Sequence, residues 1–301
     1  MTTINAENIQ INQQREQQQF DPWSRIYIPW LSEFIGTMLF VLFCNQTYWA
    51  YLLIITIGLF EATILIALLI SFANISCCYF NPALIITSML CLGTPLLLGI
   101  SILFAQFFGA FIGALLFRSI LSNTAFLDIF SHLSVLKTIE RSEVLQFKHL
   151  ENEENLLDNF DQFSSSPFGG RLQVFLLETF CSSIFIFSQL FPTLFRQTII
   201  EIAISAGSAR LFTCSLTFLS PLGQSGNFAR TLANNLIATI FIRDENYYVW
   251  RYFHLHLFIE ICSTILIAAM LFKYAKNVSA NNNVELNANT QIRQGLERKI
   301  N

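Results

Sequence analysis

The chain has 301 residues, of which 53% are hydrophobic and 12% are charged, and its net charge is −3. Soluble domains carry about 25% charged residues, and no acid or base lies between Glu61 and Arg118, so a protein with its whole surface in water is excluded. The negative net charge argues against a nucleic-acid partner. The sequence has no nucleophile–base pair, phosphate-binding loop or metal-ligand cluster, and we therefore expect no enzyme activity, no cofactor and no metal.

Polar and apolar segments alternate along the chain. We expect a disordered polar tail over residues 1–25, a first repeat over 26–118, a polar loop over 119–171, a second repeat over 172–274 and a polar tail over 275–301. About 20 apolar residues are needed to cross the roughly 30 Å of hydrocarbon in a bilayer. In chain order, the predicted membrane spans are residues 26–44, 50–72, 95–118, 172–191 (ended by Pro192), 197–219 and 249–274.

Two further apolar stretches, residues 81–92 and 227–242, are too short to cross the bilayer and are candidates for re-entrant half-helices. Asn81 follows Glu33 of the first span by 48 residues, and Asn227 follows Glu178 of the fourth span by 49. The chain therefore reads as two copies of a unit of three spans and one half-helix. Three spans carry the chain to the opposite side of the membrane, so the second copy begins there and is inverted relative to the first. Inverted repeats with broken helices have their binding site at the midplane.

The residues that begin the half-helices suit a pore. An Asn at a helix N-cap accepts hydrogen bonds from the first turn, which leaves its amide NH₂ to donate to a passing water. The positive ends of the two half-helices repel cations. Pro82 suits the first helical position, where no N–H partner is needed.

Several charged residues lie at membrane depth and need partners. Arg230 is expected to donate to a permeating solute; the alternative is a structural ion pair with a buried acid. Glu33 and Glu178 are expected to accept hydrogen bonds from the re-entrant loops; the alternative is a surface acid at the membrane boundary. Arg210 and Glu260 also fall within spans, with pairing to each other as their one expected role.

The motifs resemble those of the aquaporin (major intrinsic protein) family, whose hallmark is two Asn-Pro-Ala motifs. The first is intact here as Asn81-Pro82-Ala83, and the second reads Asn227-Phe228-Ala229, with Phe in place of Pro. Glu33-Phe34-Ile35-Gly36-Thr37 and Ala105-Gln106-Phe107-Phe108-Gly109-Ala110 also match. The resemblance implies an all-α membrane fold with six transmembrane helices and two re-entrant half-helices, in a divergent, superaquaporin-like member.

Carried over by position, the resemblance implies a constriction formed by Arg230, Gln224, Ser215 and a residue of the second span. That residue is Glu61 by count; we prefer its neighbour Phe60, and expect Glu61, if it faces the pore instead, to pair with Arg230 and block or gate it. Phe228 either narrows the pore or packs into its wall. Cys78 is a candidate mercurial-binding residue.

The function implied is a passive channel that excludes protons and ions and carries either water alone or water together with small neutral solutes such as glycerol. The alternatives are a poorly conducting protein with a structural role in an internal membrane and an ion-coupled transporter. The resemblance further implies a homotetramer in a lipid bilayer. Basic residues after the sixth span place both termini in the cytoplasm, in the plasma membrane or an endomembrane. Asn45-Gln46-Thr47 forms a glycosylation sequence close to the membrane.

Overall fold

The computed structural model describes residues 26–46, 54–123, 125–126, 170–195, 197–217, 226–241, 250 and 253–274. The predicted tails and residues 127–169 of the predicted loop lie outside this set. The described residues contain no β-strand and form eight helices of ten residues or more. In chain order these are α1 Ile28–Gln46, α2 Ile54–Phe72, α3 Pro82–Cys91, α4 Leu96–Ile120, α5 Gly170–Leu194, α6 Ile199–Thr217, α7 Phe228–Phe241 and α8 Phe253–Tyr274.

The helix lengths fall into two classes. α1, α4, α5, α6 and α8 are long and apolar enough to cross a membrane, and α2, with 19 residues, is the remaining predicted span. α3 and α7 have 10 and 14 residues, about 15 and 21 Å at 1.5 Å per residue, so neither spans the bilayer alone. The predicted order of six spans and two half-helices is confirmed.

The prediction that Pro192 ends the fourth span is wrong, because α5 continues through it to Leu194. Proline has no N–H to donate to the carbonyl four residues earlier, which here belongs to Ser188. That carbonyl instead accepts a hydrogen bond from Ser205 Oγ of α6 at 2.8 Å. In a membrane an unpaired backbone group is costly, so this neighbouring hydroxyl allows the helix to pass through the proline.

Glycines set the closest helix contacts. A Cβ on Gly109 or Gly113 of α4 would collide with the backbone of Phe34 or Met38 in α1, so these two helices touch backbone to backbone, as small residues permit in membranes. The Gly-x-x-x-Gly sequence of α4 therefore serves a contact inside one protomer.

The side chains are distributed as expected for a protein in lipid. Large apolar groups such as Leu97, Phe104 and Phe272 are more than half exposed, whereas Glu33 and Glu61 are fully buried. Charged groups at membrane depth face the bundle interior. The polar interior of this bundle therefore contains the candidate site.

Candidate pore

Each of the two half-helices begins at an asparagine whose side chain caps its first turn. Asn81, in extended conformation, accepts a hydrogen bond at Oδ1 from the N–H of Ala83 at 3.0 Å, and Pro82 occupies the first turn of α3. Asn227 accepts at Oδ1 from the N–H of Arg230 at 3.3 Å. Asparagine is a preferred N-cap because its side-chain oxygen satisfies a donor of the first turn.

The capping amides also link the two repeats. Asn81 Nδ2 donates to the carbonyl of Gly226, next to Asn227, and Asn227 Nδ2 donates to the carbonyl of Phe80, next to Asn81, at 2.8 Å. Pro82, Ala83 and Ala229 are buried around them. The N-termini of α3 and α7 therefore meet, with their positive dipole ends at one point inside the bundle.

Glu33 holds the loop that leads into α3. Its Oε1 accepts from the N–H of Tyr79 at 2.8 Å, and its Oε2 accepts from the N–H of Phe80 at 2.9 Å and from Gln106 Nε2 at 3.0 Å. Cys78 and Phe80 have positive φ angles of 52° and 48°, a conformation that L-residues rarely adopt. The carboxylate thus accepts from two N–H groups in a strained loop, and the alternative of a surface acid is wrong for Glu33.

Glu178, the matching acid of the second repeat, is also buried, with 1% of its surface exposed, so the surface alternative is wrong for it as well. Its expected partners belong to the loop before Asn227. Gln224 and the rest of residues 218–225 lie outside the described residues. Glu178 lines a cavity of about 10 Å³ together with Ser182, Arg210 and Gly226, room for about one water.

A buried ionic cluster lies beside the start of α7. Glu61 Oε1 accepts from Arg230 Nη1 at 2.8 Å, and Glu61 Oε2 accepts from Arg210 Nη2 and Nε at 2.6 and 2.9 Å. The three side chains are 0–4% exposed. Our preference for Phe60 over Glu61 as the inward residue is wrong, because Glu61 is the residue that pairs with Arg230, as expected if Glu61 faces inward, whereas Phe60 is 50% exposed. The expected pairing of Arg210 with Glu260 is also wrong, because Arg210 pairs with Glu61.

Asparagine and backbone groups complete the surroundings of Arg230. Its Nε donates to Asn45 Oδ1 at 3.1 Å and its Nη2 to the carbonyl of Cys44 at 3.1 Å. Asn45 Nδ2 in turn donates to Asn234 Oδ1 at 2.8 Å. Because Asn45 has no exposed surface and its amide is engaged, the structure leaves no room for a glycan on it.

Ser215 was expected in the constriction and Cys78 at a site open to mercurials, and the structure gives both residues other contacts. The hydroxyl of Ser215 donates to the carbonyl of Leu211 in its own helix at 2.8 Å, whereas the neighbouring Cys214 places Sγ 3.1 Å from Glu61 Oε2. Cys78 is 1% exposed and its thiol lies against Ser76, so it is buried away from any lumen; Cys77 is the exposed member of the pair.

Phe228 packs into the wall between helices. Its ring lies 6.1 Å from that of Phe107 in α4 and 5.1 Å from that of Phe253 in α8. With Pro82 it lines an apolar cavity of about 270 Å³, bounded also by Ile265, which is 59% exposed. Of the two predicted roles for Phe228, these contacts favour packing into the wall.

Sequence reasoning missed the inward position of Arg210 and the polar contacts made by Asn45, Asn234 and Cys214. A partial signal was present, because Glu61 and Arg210 are both charged residues in the middle of apolar spans, and such residues pair inside the bundle. Which acid pairs with which base depends on the rotation of α2 and α6 about their axes, which the sequence pattern does not specify.

Comparison with known proteins agrees with this architecture. A solved structure described as an aquaglyceroporin from Plasmodium falciparum superposes with a TM-score of 0.55 and 17% sequence identity, over 84% of this chain and 99% of that one. No curated protein sequence matches the chain. The family model described as "Major intrinsic protein" matches residues 23–266. The chain is therefore a multi-pass integral membrane protein and belongs to the major intrinsic protein family.

Proposed function

We propose that the protein is a passive channel that carries water and small neutral solutes across a membrane. The observation that carries this proposal is the reciprocal bonding of Asn81 and Asn227, which joins the N-termini of two half-helices from opposite repeats. Such a junction at the midplane of inverted repeats is where a solute path is expected. The family match supports a channel.

The junction also provides a physical reason to exclude protons and cations. Each asparagine Nδ2 carries two N–H groups, of which one donates to the opposite loop and the other is expected to donate to a water in the pore. A water that accepts from both amides orients its own hydrogens away from them and interrupts a proton-conducting chain. The positive half-helix ends and Arg230 repel cations.

The proposal includes the oligomeric state of the protein and its orientation in the membrane. We infer a homotetramer in which each protomer has its own pore, by resemblance to the family. Both termini are placed in the cytoplasm, because basic residues follow the last span and such residues favour that side. The membrane is the plasma membrane or an endomembrane.

A second candidate function is a structural, poorly conducting protein of an internal membrane. The buried cluster of Glu61, Arg210 and Arg230 favours it, because charged groups packed together without exposed surface obstruct the passage beside α7. An enzymatic role has no motif to support it.

Stopped-flow light scattering of proteoliposomes tests the proposal. We expect faster osmotic volume change than in empty vesicles, without a proton current, and a loss of this flux in Asn227→Leu, which keeps the side-chain size but removes the amide. Leu216→Ala, a substitution in α6 that leaves the asparagine junction intact, is the control. Glycerol is tested in parallel because the matched structure is described as an aquaglyceroporin.

The other outcomes point elsewhere. Flux no faster than in empty vesicles, from every variant of the folded protein, would favour the structural role. Flux that depends on an ion gradient would indicate a coupled transporter instead.

A further inference from the structure

The ionic cluster joins the two repeats of the fold. Glu61 lies on α2 of the first repeat, and Arg210 and Arg230 lie on α6 and α7 of the second. Arg230 is three residues beyond Asn227, and the guanidinium of Arg210 lies beside Gly226, whose carbonyl accepts from Asn81. The cluster therefore adjoins the asparagine junction.

The contacts divide the carboxylate between the two guanidinium groups. Arg230 donates one hydrogen bond to Glu61 Oε1, and Arg210 donates two hydrogen bonds to Glu61 Oε2. Arg230 is held further by Asn45 and the carbonyl of Cys44, whereas Arg210 is otherwise flanked by the rings of Phe40 and Phe185, each 5.8 Å from its Cζ. Arg210 is thus the less anchored of the two cations.

The side chains of the cluster have almost no exposed surface, and a small cavity lies beside them. A side chain that lines an open water-filled pore exposes part of its surface, yet Glu61 is 0% exposed and both arginine side chains are 4% exposed. The water-sized cavity described above borders Arg210 on one side and Glu178 on the other. The described residues therefore leave room for about one water beside Arg210, and the side chains of Arg210 and Glu61 are almost without exposed surface where they meet.

We propose, on the basis of the proposed channel function, that Arg210 and Glu61 are specificity-determining residues whose ion pair lies across the pore. The pair restricts the unsubstituted channel to water and to neutral solutes smaller than glycerol, which pass when Arg210 moves away from Glu61. With two guanidinium groups and one carboxylate, the cluster has a net charge of +1, which adds to the exclusion of cations.

Arg210→Met is the sharpest test, because it leaves Glu61 and Arg230 as a balanced pair. Methionine is unbranched and flexible, so it is tolerated among Phe40 and Phe185. In proteoliposomes we expect a severalfold rise in water permeability over the unsubstituted protein and the appearance of glycerol permeability. Arg118→Met is the matched control, since Arg118 stacks on Phe126 and Phe241 at the end of α4, and it should leave both permeabilities unchanged.

Each result decides between the proposals. Equal water and glycerol permeability in Arg210→Met and the unsubstituted protein would overturn the role of Arg210 and leave the channel function standing. No flux from either protein, both shown folded by monodisperse elution in detergent, would overturn the channel function and this inference together. Should Arg210→Met fail to fold, Arg210→Gln replaces it, and flux equal to that of the unsubstituted protein would likewise overturn the proposal.

Discussion

At the residue scale, Glu33 shows how one buried carboxylate shapes a pore loop. It accepts hydrogen bonds from two consecutive backbone N–H groups, of Tyr79 and Phe80, and from Gln106. In Glu33→Gln one acceptor oxygen becomes an NH₂ donor that faces other donors. We expect a loss of about 1–3 kcal/mol, the cost of a buried unpaired polar group, seen as a lower melting temperature in detergent.

The matched control is Glu201→Gln, the same substitution in an exposed acid at the start of α6, where its carboxylate accepts from the N–H of Thr198 at 2.7 Å. Because this side chain is exposed, the loss should be smaller. Equal melting temperatures for Glu33→Gln and the unsubstituted protein would mean that the loop before Asn81 does not depend on the carboxylate.

Single residues also mark the limit of prediction from sequence. Counting back from Asn81 gives Glu61, but we assumed that the count was shifted by one residue and preferred Phe60. Adjacent residues of an α-helix differ by about 100° in direction, from 3.6 residues per turn, so this shift of one residue exchanged a buried position for an exposed one. A full charge in the middle of a span was the stronger signal, because lipid does not solvate it.

At the element scale, hydrophobic length alone predicted every span and both half-helices to within a few residues. It failed at Pro192, where the hydroxyl of Ser205 satisfies the carbonyl that the proline leaves open. A hydrogen bond from a neighbouring helix is a tertiary contact, which the local sequence does not encode. The half-helix starts were predictable because capping by Asn81 and Asn227 is local.

Phe228 gives a test of how α7 is fixed in the bundle. Its ring packs against Phe107 of α4 and Phe253 of α8, so Phe228→Ala should remove a contact between three helices. Because the ring is partly buried, we expect a destabilisation at or below the low end of the roughly 3–5 kcal/mol seen for buried Phe→Ala changes, measured as a lower melting temperature. Water permeability per folded protein should not rise.

The comparison variant is Phe108→Ala, since Phe108 lies beside Phe107 but is 58% exposed and should tolerate truncation. A large increase in water permeability for Phe228→Ala would show instead that the ring narrows the pore. Retained stability together with increased flux would contradict the packing role altogether.

At the scale of the whole molecule, the inverted repeat was predictable, whereas only part of the ionic cluster was, namely the pairing of Glu61 with Arg230 that we expected if Glu61 faces inward. The repeat follows from the matching intervals between Glu33 and Asn81 and between Glu178 and Asn227. The cluster needs side chains from both repeats, and its pairing depends on how α2, α6 and α7 are rotated against one another. Local periodicity does not contain that rotation.

The number of membrane crossings before Cys77 predicts on which side of the membrane this exposed residue lies, and labelling can test it. α1 and α2 cross the membrane in opposite directions, so the loop after α2 returns to the side of the N-terminus, and Cys77 in that loop is exposed whereas Cys78 is buried. With cytoplasmic termini, a membrane-impermeant maleimide should label Cys77 in inside-out vesicles and not in intact cells. Cys77→Ser, measured in parallel, subtracts labelling of the partly exposed Cys91 and Cys262.

The reverse pattern, with labelling in intact cells that is lost in Cys77→Ser, would place both termini outside. That result would leave the fold unchanged, because the two repeats are related by inversion and the asparagine junction is the same from either side. It would, however, place the cluster of Glu61, Arg210 and Arg230, which lies toward the end of α2 opposite Cys77, on the cytoplasmic half of the pore. The labelling experiment therefore also decides from which compartment a solute first meets Arg230.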